Sequence, residues 1–209
     1  MVQDKTKSPQ NCVVDEVQVP CQVSAKKWPK LIGLYAPAPK SGKSTVTTFI
    51  RALMAEYEHA FEQVKLAGPL KEPLYKMGLT PMHIEGEGKD IPLSVLGEKS
   101  PREFMITRYK TTAAKEGADW LAKYGRDRIE KALASGKLVV VDDVRTPADY
   151  DMVTSFDGAE VWRIERPSQE DGSPSEVEHL LEDKEFNRQI KNDSTLTALR
   201  EQVAKTFIS

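Results

Sequence analysis

The sequence predicts a fold of the α/β class, in which a parallel sheet is flanked by helices. Strand-like apolar runs alternate with helix-like stretches along the chain, an order typical of parallel, doubly wound sheets. Leu31–Tyr35 is the first such run, and residues 45–57 follow it with apolar side chains at helical spacing. Leu138–Val141 is continuously apolar and ends in acids, as buried parallel strands often do. Ligands of such sheets bind at the carboxyl ends of the strands.

The remaining elements follow from the same periodicities and from the positions of glycine and proline. Residues 78–100 are interrupted repeatedly by these two residue types and predict an irregular loop that reaches over the site. Gly117 and Gly125 are candidate interruptions of the helical region that comes next. In chain order, we expect a strand at residues 64–67, a helix at 70–77 that Pro73 delays or bends, helical structure at 101–134, a strand at Ala159–Glu165 and a closing helix at 196–207.

Composition indicates a soluble globular protein. The chain has 209 residues, of which 39% are hydrophobic and 30% charged, and this suits one domain with a small appendage. The net charge of −2 gives no overall positive field for nucleic-acid binding, although local basic patches stay open. No apolar run approaches the roughly 20 residues that cross a membrane, and the first residues lack the apolar core of a signal peptide. We therefore expect a cytoplasmic protein without a membrane partner.

Residues 1–29 are predicted to be an N-terminal arm or leader, and residues 30–209 the functional domain. The two cysteines, Cys12 and Cys21, both lie in the arm. They could pair, but free thiols in a reducing cytosol are the expected state. Strand-like fragments in the arm leave open an edge strand or a packed arm as alternatives to a mobile tail.

A phosphate-binding loop is predicted between the first strand and the first helix. Residues 37–44 match the pattern G-x-x-x-x-G-K-[ST], except that Pro37 replaces the first glycine. Gly42 allows the backbone to approach phosphate oxygens, and the helix that follows adds N–H groups and a positive dipole end. Lys43 would reach the β- and γ-phosphates of ATP, and the hydroxyl of Ser44 would ligate Mg²⁺. The candidate ATP-binding residues are Lys40, Ser41, Gly42, Lys43, Ser44 and Thr45.

Acidic and basic side chains follow the strand at Leu138–Val141. A carboxylate there can hold the water shell of Mg²⁺ or orient an acceptor hydroxyl. Because successive strand residues face opposite sides, Asp142 and Asp143 should not share one role. One of them would serve the metal and the other the acceptor; Asp142 is the candidate metal ligand, with the reverse assignment left open, as is a helix-capping role for one of the two. The candidate catalytic residues are Lys43, Asp142, Asp143, Arg145 and Arg166.

Two further cations are candidates for binding the acceptor. Lys71 follows the short second strand and could bind an acceptor phosphate, although a solvated surface lysine is the alternative. Arg102 lies in the first turn of a predicted helix, where a phosphate would also bind. Phosphoryl transfer depends mostly on positioning and charge neutralisation, so several cations around one loop are expected.

Seven motifs occur in an informative order: Lys40-Ser-Gly-Lys-Ser-Thr45, Leu66-Ala-Gly-Pro-Leu-Lys71, Ser100-Pro-Arg-Glu103, Asp119-Trp120, Val141-Asp-Asp-Val-Arg145 with Asp149, Arg163-Ile-Glu-Arg-Pro167, and Ile190-Lys-Asn-Asp193 followed by Leu196. With them the chain resembles the phage-type deoxynucleoside monophosphate kinases, a branch of the P-loop nucleotide kinases, over about residues 30–208. The resemblance implies a three-layer P-loop kinase fold, with an acceptor-side region at about 78–100 and a small lid at about 167–184.

The resemblance also implies a reaction and a set of site residues. Members of the family transfer the γ-phosphate of ATP to a deoxynucleoside 5′-monophosphate, with Mg²⁺, and are often homodimers. In this chain the implied ATP and Mg²⁺ residues are Gly42, Lys43, Ser44 and Thr45. The residues implied to face the acceptor are Lys71, Arg102, Asp143 and Arg145, and Arg166 would border the lid.

Departures from the family pattern keep two alternatives open. Pro37 alters the loop, and the acidic lid segment offers Lys184 as its one base, with Arg188 as a substitute. The first alternative is a P-loop kinase that phosphorylates a hydroxymethylated pyrimidine base, such as 5-hydroxymethyluracil, in phage DNA. The second is a non-catalytic module that binds a nucleotide.

Overall fold

The computed structural model describes residues 28–167 and 180–209, together with two short strands of the N-terminal arm. The strands are β1 (Cys12–Val14), β2 (Val17–Val19), β3 (Leu31–Tyr35), β4 (Phe61–Val64), β5 (Leu138–Val141), β6 (Ala159–Glu165) and β7 (Arg188–Lys191). β1 and β2 pair as an antiparallel hairpin. The other five form one parallel sheet in the order β4-β5-β3-β6-β7. The predicted α/β fold with a parallel sheet is confirmed.

Helices cover both faces of this sheet. The described helices are α1 (Lys43–Glu56), α2 (Gly68–Lys76), α3 (Pro81–Ile84), α4 (Pro101–Glu116), α5 (Trp120–Ala134), α6 (Pro147–Thr154) and α7 (Leu196–Ile208). Two 3₁₀ turns, Glu87–Asp90 and Ser94–Leu96, lie between α3 and α4. None of the described helices is both long and apolar enough to cross a membrane.

The two sheet faces carry separate apolar cores. Ile32 and Leu34 of β3 are buried against residues of α1 and α7, including Ile50 and Val203. Their neighbours on the same strand, such as Leu31, belong to a second core that includes residues of α5 and α6. The division follows from strand geometry, because successive side chains point to opposite faces. Three layers result, as predicted.

The strand order brings three loops to one edge of the sheet. β5 lies between β3 and β4, and Val141 pairs with Gly33 on one side and with Val64 on the other. The phosphate loop follows β3, the two aspartates follow β5, and the segment leading to Lys71 follows β4. Candidate residues from three distant parts of the sequence therefore meet at the carboxyl ends of adjacent strands.

Several predicted boundaries are wrong. The second strand ends at Val64 rather than at residue 67, because the N–H groups of Leu66 and Ala67 bond the side chain of Asp143 instead of a strand. Helix α2 accordingly begins at Gly68, earlier than predicted. Strand β7 and helix α6 were not predicted, since each is short and has a weak apolar pattern.

The region at residues 78–100 is more ordered than the predicted loop. It contains α3 and both 3₁₀ turns, and it shares a small apolar core with α2 and α4, formed by Leu74, Leu79, Ile84 and Leu96. Of the two predicted interruptions, Gly117 separates α4 from α5 with φ 99°. Gly125 lies inside α5, where any side chain would collide with Leu66. The predicted lid falls mostly on residues 168–179, outside the described residues.

Candidate active site

The phosphate loop connects β3 directly to α1. Gly42 immediately precedes the helix with φ 103°, in the left-handed region that glycine favours, and Lys40 also lies in that region with φ 57°. Within the described residues, α1 has neither a side-chain cap nor an acid in its first turn. The hydroxyl of Ser41 is instead used inside the loop, donating to the carbonyl of Ala38 at 2.6 Å. The positive end of α1 is therefore suited to bind an anion.

Two residues that follow β6 and β7, on the side of β3 away from β5, hydrogen-bond to this loop. Asn192, just after β7, donates its side-chain N–H to the carbonyl of Ser41 at 3.0 Å. A Cβ at Gly42 would lie 2.6 Å from the same amide nitrogen, so any larger residue there would displace the Asn192 side chain from its hydrogen bond. Arg166, just after β6, donates to the carbonyl of Lys40 at 3.3 Å. The structure thus brings the predicted Arg166 to the phosphate loop and adds Asn192, for which no role was predicted.

Asp142 lies on the same sheet face as α1, because it continues the alternation of β5 beyond Val140. It is 7% exposed. Its Oδ2 accepts a hydrogen bond from the side-chain amide of Gln63, while its Oδ1 is buried with no partner among the described residues. Burial raises the pKa of this carboxyl, and the charge of Asp143 adds to the effect. A buried carboxylate oxygen without a protein partner can be satisfied by an ordered water or by a bound ion.

Asp143 faces the opposite side of the sheet and has both oxygens engaged. Oδ1 accepts from the backbone N–H of Leu66 at 2.9 Å, and Oδ2 from that of Ala67 at 3.0 Å. These bonds tie the end of β5 to the segment between β4 and α2. Both oxygens of Asp143 thus accept backbone donors, whereas Asp142 has one buried oxygen without a partner among the described residues.

Arg145 and Asp149 occupy the turn that leads into α6. Asp149 accepts from the backbone N–H of Arg145 at 3.2 Å and of Thr146 at 2.9 Å, and Thr146 completes a capping box with it. Burial raises the pKa of the Asp149 carboxyl. The guanidinium of Arg145 is exposed and makes no ion pair with any residue that the structure describes. The helix-capping role that the sequence left open for Asp142 or Asp143 is filled instead by Thr146 and Asp149.

The predicted acceptor cations are separated. Lys71 joins Lys65 at the end of β4, where both form ion pairs with Glu85, at 2.8 Å and 3.3 Å respectively. Arg102 is instead paired with Asp90 on the surface of the helical region. An open pocket of about 370 Å³ surrounds the two lysines, lined in part by Gln63, Lys65, Lys71, Tyr75, Glu85 and Arg128.

A larger depression, about 470 Å³, lies along α4, and its lining includes none of the predicted site residues. Gln63 lines the pocket around the two lysines and also donates a hydrogen bond to Asp142. This pocket therefore lies next to the candidate metal ligand.

The residues present fit a Mg²⁺ ion held mainly by a bound nucleotide. Among the described residues, no group of three or more His, Cys, Asp or Glu side chains could hold a metal ion by itself. Mg²⁺ typically takes one or two protein ligands, several waters and substrate phosphates. The unpartnered Oδ1 of Asp142 and the exposed Ser44 at the start of α1 could supply such ligands.

Comparisons with known proteins leave the family open. No protein-family model matches the chain, and no curated protein matches its sequence. Among similar solved structures are two of the Mycobacterium tuberculosis APS kinase CysC, each 15% identical over 87% of this chain and 99% of that chain. They are a cysteine-to-alanine mutant with a TM-score of 0.46 and a complex with AMPPNP and APS with a TM-score of 0.47. Dephospho-CoA kinase from Campylobacter jejuni is 14% identical over 86% of this chain and 97% of that chain, with a TM-score of 0.38. Likeness at this level carries no functional argument.

Proposed function

We propose that this protein is a phosphotransferase that moves the γ-phosphoryl group of ATP, with Mg²⁺, to a deoxynucleoside 5′-monophosphate. One observation carries the proposal: the buried, partly unpartnered carboxylate of Asp142 lies between the strand that leads to the phosphate loop and the strand that leads to Lys65 and Lys71. A donor site, a metal ligand and a cationic acceptor site thus occupy successive strand ends.

On the donor side, the chain positions and neutralises the phosphates. The left-handed Gly42 and the N-terminus of α1 allow close backbone approach, and Lys43 supplies a positive charge. When bound, Mg²⁺ would neutralise charge on the β- and γ-phosphate oxygens. Ser44 and Asp142 are its proposed ligands. Asn192 and Arg166 hold the loop in place through the carbonyls of Ser41 and Lys40.

On the acceptor side, the pocket beside Asp142 has a size suited to a small ligand. Its volume of about 370 Å³ falls within the usual range of roughly 300–1,000 Å³ for small-molecule sites. A phosphate acceptor is already ionised, so it needs positioning and charge neutralisation more than a general base. Lys65 and Lys71 can supply both.

A second acceptor, the hydroxymethyl group of a modified pyrimidine in DNA, is favoured by one specific observation. An alcohol must lose a proton during attack, and Asp142 beside the pocket is a carboxylate that could accept it, with a pKa that burial raises. The open pocket would then have to admit a base displaced from its strand.

The deciding experiment measures transfer of label from γ-labelled ATP with Mg²⁺. A panel of deoxynucleoside monophosphates is offered beside duplex DNA that contains 5-hydroxymethyluracil. Label in a nucleoside diphosphate supports the proposal and identifies the base. Label retained in the polymer contradicts it in favour of the DNA substrate. ATP binding without any labelled product would indicate a non-catalytic module.

A further inference from the structure

A carboxylate bridges the two lysines of the acceptor-side pocket. Oε1 of Glu85 lies 2.8 Å from Nζ of Lys71, and Oε2 lies 3.3 Å from Nζ of Lys65. Partial burial opposes its ionisation, yet the hydrogen bond from Lys71 holds the pKa of Glu85 below its usual range. Glu85 therefore carries its negative charge at neutral pH, between two ammonium groups.

The other charged groups that line this pocket have partners elsewhere. Glu72 pairs with Lys76 at 2.7 Å, one helical turn away on α2. Nη2 of Arg128 lies 3.8 Å from Oε1 of Glu62. Among the described residues, Glu85 is thus the carboxylate in ion-pair contact with Lys65 and Lys71, while the more distant charge of Asp142 also acts on both lysines.

Glu85 is carried by a segment that does not belong to the sheet. It directly follows the short helix α3, and the buried Ile84 beside it packs in the small apolar core shared with α2 and α4. The two lysines, by contrast, lie at the end of β4 and on α2. The link between Glu85 and these lysines consists of partly exposed ion pairs, which are weak and exchangeable.

We propose that Lys65 and Lys71 form a binding subsite for a phosphate monoester, and that Glu85 occupies this subsite as an internal counterion until the phosphate displaces it. The identity of the monoester as an acceptor nucleotide rests on the proposed function. Displacement exchanges a single negative charge for a group carrying about 1.5 to 2 charges and three acceptor oxygens. A phosphodiester offers one charge, so its exchange for Glu85 gains little. Glu85 therefore favours a free monophosphate over a DNA backbone.

The experiment measures anion binding by calorimetric titration without ATP or Mg²⁺, with inorganic phosphate as a stand-in for the monoester and dimethyl phosphate as the diester probe. Each titration is repeated in a Lys43→Ala background, which separates binding at the phosphate loop from binding at the lysine subsite. The Glu85→Gln variant removes the occupant but keeps the shape of the side chain. We expect it to bind phosphate about fivefold more tightly than the unmodified protein, a gain in line with the loss of weak, partly exposed ion pairs. The gain should shrink as salt concentration rises.

Two matched variants isolate the effect. Glu72→Gln removes one negative charge from the same pocket without freeing either lysine, and we expect less than a twofold change. The double variant Lys65→Met with Lys71→Met should bind phosphate at least tenfold more weakly, and adding Glu85→Gln to it should restore nothing. Melting temperatures establish that each variant is folded. The unmodified protein should bind dimethyl phosphate much more weakly than phosphate.

The proposal is overturned if Glu85→Gln weakens phosphate binding, or changes it no more than Glu72→Gln does. Because this readout requires no catalysis, the two proposals fail separately. Tighter phosphate binding by Glu85→Gln without labelled nucleoside diphosphate leaves the subsite standing and removes the proposed function. Conversely, labelled nucleoside diphosphate together with unchanged phosphate binding in Glu85→Gln would support the proposed function and overturn the subsite.

Discussion

Gln63 and Asp142, 79 residues apart in sequence, are joined by a side-chain hydrogen bond at the ends of adjacent strands. The carbonyl oxygen of the same Gln63 amide accepts from Arg51 on α1 at 2.6 Å. Because both ends of the amide are engaged, Gln63 fixes the orientation of the carboxylate, whose Oδ1 is buried and has no partner among the described residues. Gln63 is therefore a positioning residue in the proposed mechanism.

Replacing Gln63 should weaken the metal site without unfolding the protein. In Gln63→Leu the carboxylate of Asp142 loses its orienting donor, and outer-shell partners of metal ligands are typically worth about 10–100-fold in metal affinity. We expect the Mg²⁺ concentration for half-maximal transfer to rise by about tenfold, measured by titrating the metal at saturating ATP. Gln189→Leu, at an exposed position on β7, is the control. An unchanged Mg²⁺ requirement would contradict the role of Gln63.

Substitutions of the two adjacent aspartates should affect different properties of the protein. Asp143→Asn puts an amide N–H against a backbone N–H donor, and we expect a loss of about 1–3 kcal/mol in the free energy of unfolding, measured in urea. Asp142→Asn should leave stability nearly unchanged or improved, because it removes a buried charge, while transfer activity falls sharply. Equal losses of stability in both variants would show that the assignment of roles is wrong.

The Gly42 and Asn192 contact predicts non-additive effects. Gly42→Ala would place a side chain in the left-handed backbone conformation, which costs about 1–2 kcal/mol. It would also bring the new Cβ against the Asn192 side chain. Combining it with Asn192→Ala removes the collision but not the backbone strain, so we expect partial recovery of melting temperature and ATP affinity. A double-mutant cycle measures the coupling. Strictly additive changes would argue against the close approach.

Lys43→Ala should abolish transfer while the protein remains folded, because the proposed role of Lys43 is to neutralise charge on the transferred phosphate. Activity and urea denaturation are measured together. Lys30→Ala, an exposed lysine just before β3, is the matched control and should keep full activity. An unchanged rate in Lys43→Ala would exclude the phosphate-loop assignment.

Asp149 gives a prediction for the pH dependence of stability. Burial raises the pKa of this carboxyl above its usual value of 3.8, so the stability it contributes is present below pH 3.8 and is lost as pH rises through the folded-state pKa. Asp149→Asn can keep both backbone hydrogen bonds through its amide oxygen. We expect the free energy of unfolding of the variant, relative to that of the unmodified protein, to be greater at pH 7 than at pH 3.5. Urea denaturation at the two pH values measures this difference. A constant difference would contradict the raised pKa.

The sequence by itself determined the strand, loop and helix at residues 31–56 and the layers around them. The strand, loop and helix at residues 31–56 are consecutive, so apolar periodicity and one glycine were enough to predict them. The same local logic predicted that Asp142 and Asp143 face opposite ways. It was weakest where elements are short, as in β7 and α6, or where a boundary depends on a remote partner, as at Val64.

Only the tertiary structure decided which partner each site residue has. Asn192 reaches the phosphate loop from 151 residues away, and Asp143 binds the backbone of Leu66 from 77 residues away. These contacts exist because β5 lies between β3 and β4 and β7 lies at the other edge. Local periodicity specifies which residues form strands and which faces are buried, but the order of parallel strands is set by the packing of the crossover helices. The different hydrogen-bond partners of the two aspartates follow from that order, whereas the pairing of Glu85 with both lysines depends on how the segment after α3 packs beside α2.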